Sequence, residues 1–220
     1  MGKNKPSYLY NPELCPCEKG AAKGCQRFRN CGECIANHRS EGKIQQTACE
    51  RKATLIVYYS LEGNTDFAAK EIAKVLGYET LRIEPVKKYP EKGPLKFLVG
   101  GKGACLAETP RLKPYVFDVN EYARIIFGFP VWAGNITPPI RTFIKENDLQ
   151  GKKIAAFACQ GGAGAEKAFG KLKEALGIGK LEAELILNDP KARPNEGNEK
   201  KILDFCDSIK DGLRGEGTRG

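Results

Sequence analysis

The sequence predicts a doubly wound α/β fold with a small cysteine-rich module at its N-terminal end. After residue 52, apolar strand-like runs alternate with amphipathic helical segments, which is the pattern of a parallel sheet covered by helices on both faces. Three loops that follow these runs are rich in glycine and polar residues, as ligand-binding loops often are. Before residue 50, six of the nine cysteines form a dense cluster: Cys15, Cys17, Cys25, Cys31, Cys34 and Cys49.

Five runs are predicted to be the strands of one sheet. Leu55–Tyr59, Ile125–Phe129 and Ile154–Cys159 are almost continuously apolar, so we expect them in the middle of the sheet, buried on both faces. Glu79–Ile83 and Leu181–Leu187 alternate apolar and polar residues, which is typical of edge strands with one face in water. Right-handed crossovers between them then give a five-stranded parallel sheet of order 2-1-3-4-5.

Four amphipathic segments are predicted to be the helices that cover this sheet. Asn64 or Thr65 is predicted to cap one of them. Another opens with Pro138 and Pro139, because proline is tolerated in the first turn of a helix. Residues 84–122 exceed an ordinary strand-to-helix connection, so we expect an extra helix and a loop near the site. The last two helices are marked by apolar residues at helical spacing: Phe169, Leu172 and Leu176, then Ile202, Cys206, Ile209 and Leu213.

Composition divides the chain into a metal-binding module over 1–51, an α/β domain over 52–215 and a flexible tail over 216–220. The formal net charge is +9, which fits an acidic partner or an anionic ligand. No block of consecutive basic residues points to specific nucleic-acid binding. No apolar run reaches the ~18 residues of a membrane span, and the first residues do not resemble a signal peptide. We therefore expect a cytoplasmic protein with no membrane contact, whose oligomeric state stays open.

The loop after the first strand, Ser60–Thr65, runs directly into a helix. A glycine, two hydroxyls and an amide at a helix N-terminus form a nest for a phosphate group. The alternative is an ordinary helix cap with a tight turn. The loop has no P-loop lysine, so it does not predict nucleoside triphosphate chemistry.

The loops after the third and fourth strands complete a predicted ligand site. Trp132, the only tryptophan of the chain, lies in the loop 128–135, where it could stack on a flat heteroaromatic ring or simply cover the end of the sheet. The loop Cys159–Gly164 offers backbone donors to such a ring. Because the carboxyl ends of parallel strands share one edge of a sheet, the three loops are expected to meet there.

In these loops and in the order of its strands, the chain resembles the flavodoxin family over residues 53–213. Ser60–Thr65 is similar to that family's phosphate loop, and Pro130–Asn135 to its isoalloxazine loop. The resemblance implies FMN as the cofactor, with Trp132 against the ring and the backbone of Ala133–Asn135 near its central nitrogen. It implies cofactor contacts from Ser60, Leu61, Glu62, Gly63, Asn64, Thr65, Pro130, Val131, Trp132, Ala133, Gly134, Asn135, Cys159, Gln160, Gly161, Gly162 and Gly164.

The cysteine cluster predicts metal binding in a module of about 50 residues with few large apolar side chains. The pair Cys31 and Cys34 is its sharpest feature, because two intervening residues let both thiolates face one ion. Zinc is the predicted metal, and an iron–sulfur cluster, disulfides or free thiols are the alternatives. The module also resembles small cysteine-rich domains of unknown role. Its candidate ligands are Cys15, Cys17, Cys25, Cys31, Cys34, His38 and Cys49, with Cys31, Cys34, Cys49 and one of Cys15 or Cys17 as first choices.

The sequence thus predicts an FMN-binding redox protein that transfers electrons or reduces a small acceptor. One hypothesis is a carrier that docks on a redox partner protein. A second is an FMN-dependent NAD(P)H:quinone-type oxidoreductase whose substrate pocket is formed by residues 93–112. A third is an interaction module in which zinc recruits a partner. No catalytic acid or base is predicted, because the flavin carries the electron chemistry.

Overall fold

The computed structural model describes residues 5–40, 46–90, 101–194 and 196–212. Seven helices and five strands carry our labels. The helices are α1 (Glu18–Ala22), α2 (Cys31–Arg39), α3 (Ala48–Lys52), α4 (Asn64–Leu76), α5 (Pro138–Glu146), α6 (Ala165–Leu176) and α7 (Glu196–Gly212). The strands are β1 (Thr54–Tyr58), β2 (Glu79–Arg82), β3 (Arg124–Pro130), β4 (Lys153–Gln160) and β5 (Glu184–Asn188).

The five strands form one sheet of order β2-β1-β3-β4-β5, and every neighbouring pair is parallel. This confirms the predicted fold class. The continuously apolar strands β1, β3 and β4 lie in the middle, and their inner residues are buried. At the edges, β2 is mostly exposed and β5 alternates between exposed and buried positions. The placement of the strands follows from their apolar character, because only a strand with two apolar faces can be covered by helices on both faces of the sheet.

Helices cover both faces of the sheet and produce two hydrophobic cores. One face carries α4 and α7, where Ile72 and Ile209 are fully buried against the strands. The other face carries α5 and α6, where Phe143 and Phe169 fill the core. This arrangement leaves the two ends of the sheet, the amino and the carboxyl edge of its strands, free for other parts of the chain.

The N-terminal module is attached at the amino edge. Helix α3 leads straight into β1, and the Thr54 hydroxyl at the start of that strand donates to the Glu50 carbonyl at 3.3 Å. The Tyr8 hydroxyl donates to the Glu121 carbonyl at 2.6 Å, and the Tyr78 hydroxyl to Gln46 Oε1 at 2.7 Å. These contacts lie at the starts of strands, so the module packs against the end of the sheet opposite to the loops predicted to bind a ligand.

Some boundaries differ from the predicted ones. Strand β5 begins at Glu184, three residues after the start of the predicted run. Residues 101–105 are helical, within the long connection for which an extra helix was predicted. The first part of the predicted 93–112 pocket segment and the predicted tail over 216–220 lie outside the described residues. No helix in the described part of the chain has the length and apolar character needed to cross a membrane.

Candidate functional site

A cavity of about 470 Å³ lies at the carboxyl edge of the sheet. Its size falls in the range of cofactor and small-molecule sites. The loops after β1, β3 and β4 all contribute to its wall, as the sequence predicted for a shared edge. The predicted residues that line it are Ser60, Leu61, Glu62, Asn64, Thr65, Pro130, Val131, Trp132, Ala133, Cys159 and Gly161.

The phosphate loop departs from the usual geometry of a helix start. Gly63 occupies the cap position of α4 with φ +92°, and no side chain caps the helix. Only a glycine adopts this left-handed conformation without strain. The prediction that Asn64 or Thr65 caps this helix is therefore wrong. The Ser60 hydroxyl instead accepts the Asp66 N–H at 3.1 Å and fixes the loop against the first turn.

Thr65 is the most informative side chain of this loop. It is 1% exposed, lines the cavity, and its hydroxyl makes no hydrogen bond within the described part of the chain. Native proteins pair nearly all their buried polar groups, so an unpaired one beside a cavity indicates a missing partner. The neighbouring Cys159 thiol is a weak partner at best. Burial outweighs the lowering effect of the neighbouring Thr65 hydroxyl, so the pKa of that thiol is raised to about 12.

Asn64 is engaged with the loop after β5. Its Oδ1 accepts the backbone N–H of Lys191 at 3.0 Å and that of Ala192 at 3.3 Å. Its Nδ2 donates to Asp189 Oδ1 at 3.4 Å. The side chain thus holds the β5 loop against the start of α4. Asn64 and Asp189 both line the cavity at this point.

The loop after β3 presents Trp132 to the cavity from a tight turn. Trp132 and Asn135 exchange backbone hydrogen bonds, and Ala133 and Gly134 between them have φ of +51° and +71°. The indole ring packs edge-on against Tyr59 and Tyr89, with centroid distances of 5.8 and 4.9 Å. These contacts fix the ring at the cavity, where it can face a planar ligand.

The loop after β4 combines lining and supporting residues. Gly161 lies on the cavity wall, whereas the Gln160 side chain accepts the N–H of Ala165, the first residue of α6, at 2.9 Å. Gly164 has φ +109°, and a Cβ there would lie 3.1 Å from the Gly134 Cα. The residues predicted as cofactor contacts that the structure places in these loops but not on the cavity wall are Gly63, Gly134, Asn135, Gln160, Gly162 and Gly164.

Sequence reasoning missed two wall residues, Asp189 and Gly101. Asp189 follows β5 directly, so the rule that strand ends share one edge could have found it. Its φ of +42° is left-handed, and its carboxylate lies 3.8 Å from the Arg193 guanidinium. Gly101, the first described residue of the helical stretch 101–105, falls within the segment 93–112 that was predicted to form a pocket near the site, although it was not named as a cofactor contact.

The second candidate site is a cavity of about 80 Å³ inside the N-terminal module, too small for an organic cofactor. All nine cysteines of the chain are free thiols in this structure. Among the described residues, no group of three or more Cys, His, Asp or Glu side chains is arranged to hold a metal ion. The zinc prediction is therefore not confirmed. All seven predicted ligands nevertheless line this cavity: Cys15, Cys17, Cys25, Cys31, Cys34, His38 and Cys49.

The thiols in this cavity lie close to one another. Burial, together with the charges of Cys49, Cys17 and other nearby thiols, raises the pKa of the Cys34 thiol to about 11. Two of the sulfurs also have hydrogen-bonding neighbours: the Gly20 N–H donates to Cys17 Sγ at 3.3 Å, and the Thr47 hydroxyl lies 3.1 Å from Cys49 Sγ. The Thr47 hydroxyl also donates to Glu50 Oε2 at 2.9 Å, so the Cys49 thiol is the donor in its contact with Thr47.

Comparison with known proteins identifies the α/β domain. The family model described as flavodoxin matches residues 53–198. A candidate flavoprotein from Bacteroides eggerthii is 24% identical with a TM-score of 0.58, covering 71% of this chain and 96% of that one. A candidate flavoprotein from Bacteroides uniformis is 26% identical with a TM-score of 0.56, covering 68% and 95%. A flavoprotein from Lactobacillus acidophilus, solved in complex with FMN, is 21% identical with a TM-score of 0.54, covering 64% and 95%.

Proposed function

This chain belongs to the flavodoxin family, and on that basis we propose that it binds FMN in the cavity at the carboxyl edge of the sheet and serves in electron transfer. The observation that carries the proposal is the Thr65 hydroxyl, which is buried, unpartnered among the described residues and placed on the cavity wall. A phosphate oxygen would supply the acceptor that this hydroxyl lacks. The flavoprotein from Lactobacillus acidophilus that shares the fold was solved with FMN.

The residues of this chain divide the work of holding the cofactor. Ser60 shapes the phosphate loop, Thr65 donates into it, and the N-terminus of α4 favours the negative charge of the phosphate. Trp132 offers a flat apolar surface that keeps water away from one side of the ring. When bound, FMN supplies one- or two-electron chemistry. The residues named here act by binding, orienting and shielding the flavin.

The test is a titration of the FMN-free full-length protein with FMN, FAD and riboflavin, followed by flavin fluorescence. We expect FMN to bind most tightly, because the loop suits one terminal phosphate and has no pyrophosphate-binding pattern. FAD binding as tight as FMN, or no flavin binding at all, would overturn the proposal.

A carrier and a reductase are the two redox roles that fit this site. A second, smaller cleft of about 50 Å³ adjoins the flavin cavity and is lined by Tyr59, Arg82, Lys88 and Tyr89. Glu84 also lines this cleft and pairs with Arg82 at 3.4 Å, so the cleft offers a surface of mixed charge beside the flavin cavity, where the small-molecule reductant or acceptor of the NAD(P)H:quinone-type alternative would bind. Oxidation of NADPH by the FMN-loaded protein with a quinone acceptor would support the reductase. A protein that instead exchanges electrons only with a partner protein is a carrier.

We further propose that the N-terminal module binds zinc, with Cys17, Cys31, Cys34 and Cys49 as ligands. Cys31 and Cys34 lie one turn apart at the start of α2, with the two-residue spacing that lets both sulfurs reach one ion, and Cys17 and Cys49 line the same small cavity. Cys25 is the most exposed thiol of the module, so it is left out of the set. The bound ion would supply folding energy that so small a module does not obtain from a core.

Zinc fits this position better than an iron–sulfur cluster that relays electrons to the flavin. The module packs at the amino edge of the sheet and the flavin cavity lies at the carboxyl edge. Strand β1 alone separates the two by about 16 Å at the usual rise per residue. A metal site at that distance suits a structural role.

Metal analysis of the untreated protein tests the ion directly. Zinc near one equivalent, lost in Cys34→Ser but kept in the exposed-thiol control Cys105→Ser, would support the proposal. FMN affinity within about twofold of wild type in Cys34→Ser would show that the α/β domain still folds. Iron in place of zinc, or a full zinc content in Cys34→Ser, would contradict it.

A further inference from the structure

Beside the phosphate loop lies a lysine that no prediction or comparison assigns to the site. Lys191 belongs to the loop that follows β5, and its side chain lies against Gly63. A Cβ placed on Gly63 would meet Lys191 Nζ at 2.9 Å and Cδ at 3.3 Å. The ammonium group therefore occupies the space that any other residue at position 63 would fill with its own side chain.

The loop that carries Lys191 is held in place from both sides. The Asn64 carboxamide accepts the backbone N–H groups of Lys191 and Ala192, which ties the loop to the first turn of α4. Pro190 is buried directly before Lys191, and its ring fixes the backbone there. Lys191 thus reaches the phosphate loop from a pre-organised position, with little loop ordering left for binding.

The charges around Lys191 leave its ammonium group available for a ligand. Within the described residues, Lys191 forms no ion pair with a carboxylate. The nearby carboxylate of Asp189 already has the Arg193 guanidinium at 3.8 Å and the Asn64 amide at 3.4 Å. Apart from the carboxylate of Glu62, the side chains of the phosphate loop are neutral. Lys191 and Gly63 adjoin this loop but are not themselves among the residues that line the cavity.

From this geometry we infer that Lys191 is a specificity-determining residue: its ammonium group is the counter-charge for the terminal phosphate of the bound flavin nucleotide. The inference rests on the proposed function and adds a recognition element that comes from the β5 loop. It makes the site selective for a flavin that carries a phosphate over one that lacks it. Gly63 serves the same purpose, because its missing side chain lets the lysine approach the loop.

The test compares FMN with riboflavin, which differs by the phosphate alone, on the FMN-free full-length chain. Lys191→Gln should weaken FMN binding about three- to fivefold, which is at the upper end of what an exposed ion pair contributes. Riboflavin affinity should change by less than about twofold. The FMN effect should shrink at high salt, where the interaction is screened. Lys191→Arg should restore most of the FMN affinity.

A matched control removes a lysine charge from α7, the helix that follows the β5 loop. Lys210 lies in the last turn of α7, roughly 20 Å along the helix from the β5 loop. Lys210→Gln should leave both flavin affinities unchanged. An equal loss of affinity for FMN and for riboflavin in Lys191→Gln, or no loss of affinity for FMN, would overturn the role of Lys191. Failure of the wild-type protein to bind FMN would overturn the proposed function itself, and this inference with it.

Discussion

Replacing Thr65 by valine should change the stability of the empty protein and its affinity for FMN in opposite directions. Valine has nearly the same shape and helix propensity as threonine but no hydroxyl. In the empty protein the Thr65 hydroxyl is buried without a partner, and an unpaired buried group costs about 1–3 kcal/mol. Thr65→Val removes that cost. We expect the FMN-free variant to melt at a higher temperature, by about 2–4 °C per kcal/mol for a domain of this size.

Binding should suffer in the same variant. A hydrogen bond to a charged acceptor such as phosphate contributes about 1.5–3 kcal/mol, so its loss corresponds to a roughly 10- to 150-fold weaker affinity for FMN. Thr65→Ser keeps a hydroxyl and should retain most of that affinity. Fluorescence titration gives the affinities, and thermal melts with and without FMN give the stabilities.

Thr137 provides the matched control. Its hydroxyl is also buried and unpartnered among the described residues, at the start of α5, but it is not on the wall of the flavin cavity. Thr137→Val should raise the melting temperature in the same way and leave FMN affinity unchanged. If Thr65→Val binds FMN as tightly as wild type, the hydroxyl is not a phosphate donor. A loss of affinity equal in both variants would also refute the reasoning.

Other predictions concern the sheet and the first turn of α4. Gly128→Ala should destabilise the protein by at least ~1–3 kcal/mol in urea unfolding, because the new Cβ would overlap the Phe157 ring. Adding Phe157→Leu to the same chain should recover part of the lost stability. Strictly additive losses of stability in the double variant would contradict this contact. Glu182→Gln should cost about 3–5 kcal/mol, since Arg124 is fully buried and pairs with Glu182 at 2.6 Å; replacing both by methionine should be much milder. Burial acts to raise the pKa of Asp66, but hydrogen bonds from its neighbours outweigh it and the pKa is lowered, so its stabilisation is present above the unfolded pKa and is lost as the pH falls through the folded one. The stability gap between wild type and Asp66→Asn should therefore close in acid, and a gap independent of pH would contradict this.

The sheet was predictable because the burial of a strand determines which of its positions must be apolar. A strand covered on both faces needs apolar residues at every position, and β1, β3 and β4 meet this requirement. Edge strands carry a weaker signal. The predicted run that begins at Leu181 includes residues that are not strand in the structure, although Leu181 itself is buried in the core. Apolar residues in a loop that packs on the core extend such a pattern beyond the strand.

The candidate site was predictable to the extent that its residues sit in loops of recognisable chemistry. Hydroxyls, glycines and the single tryptophan after β1, β3 and β4 met at one cavity because parallel strands end at the same edge. The contribution of the β5 loop was not predicted. Its tie to Asn64 joins residues 127 positions apart, and Lys191 looks like any solvent-exposed lysine in the sequence. Contacts of that kind depend on where the folded chain places a loop.

The start of α4 shows how a departure from local rules can mark a binding site. Asn and Thr are residues that normally cap helices, and the sequence placed both at this helix start. The structure assigns the cap position to Gly63, whose left-handed backbone leaves the helix without a side-chain cap. That arrangement sacrifices a local hydrogen bond and frees two side chains. Asn64 uses its amide to hold the β5 loop, and Thr65 keeps an unpaired hydroxyl on the cavity wall. A helix start that gives up its cap and buries an unpaired donor is less stable than it could be, and such a cost is expected where a ligand completes the structure.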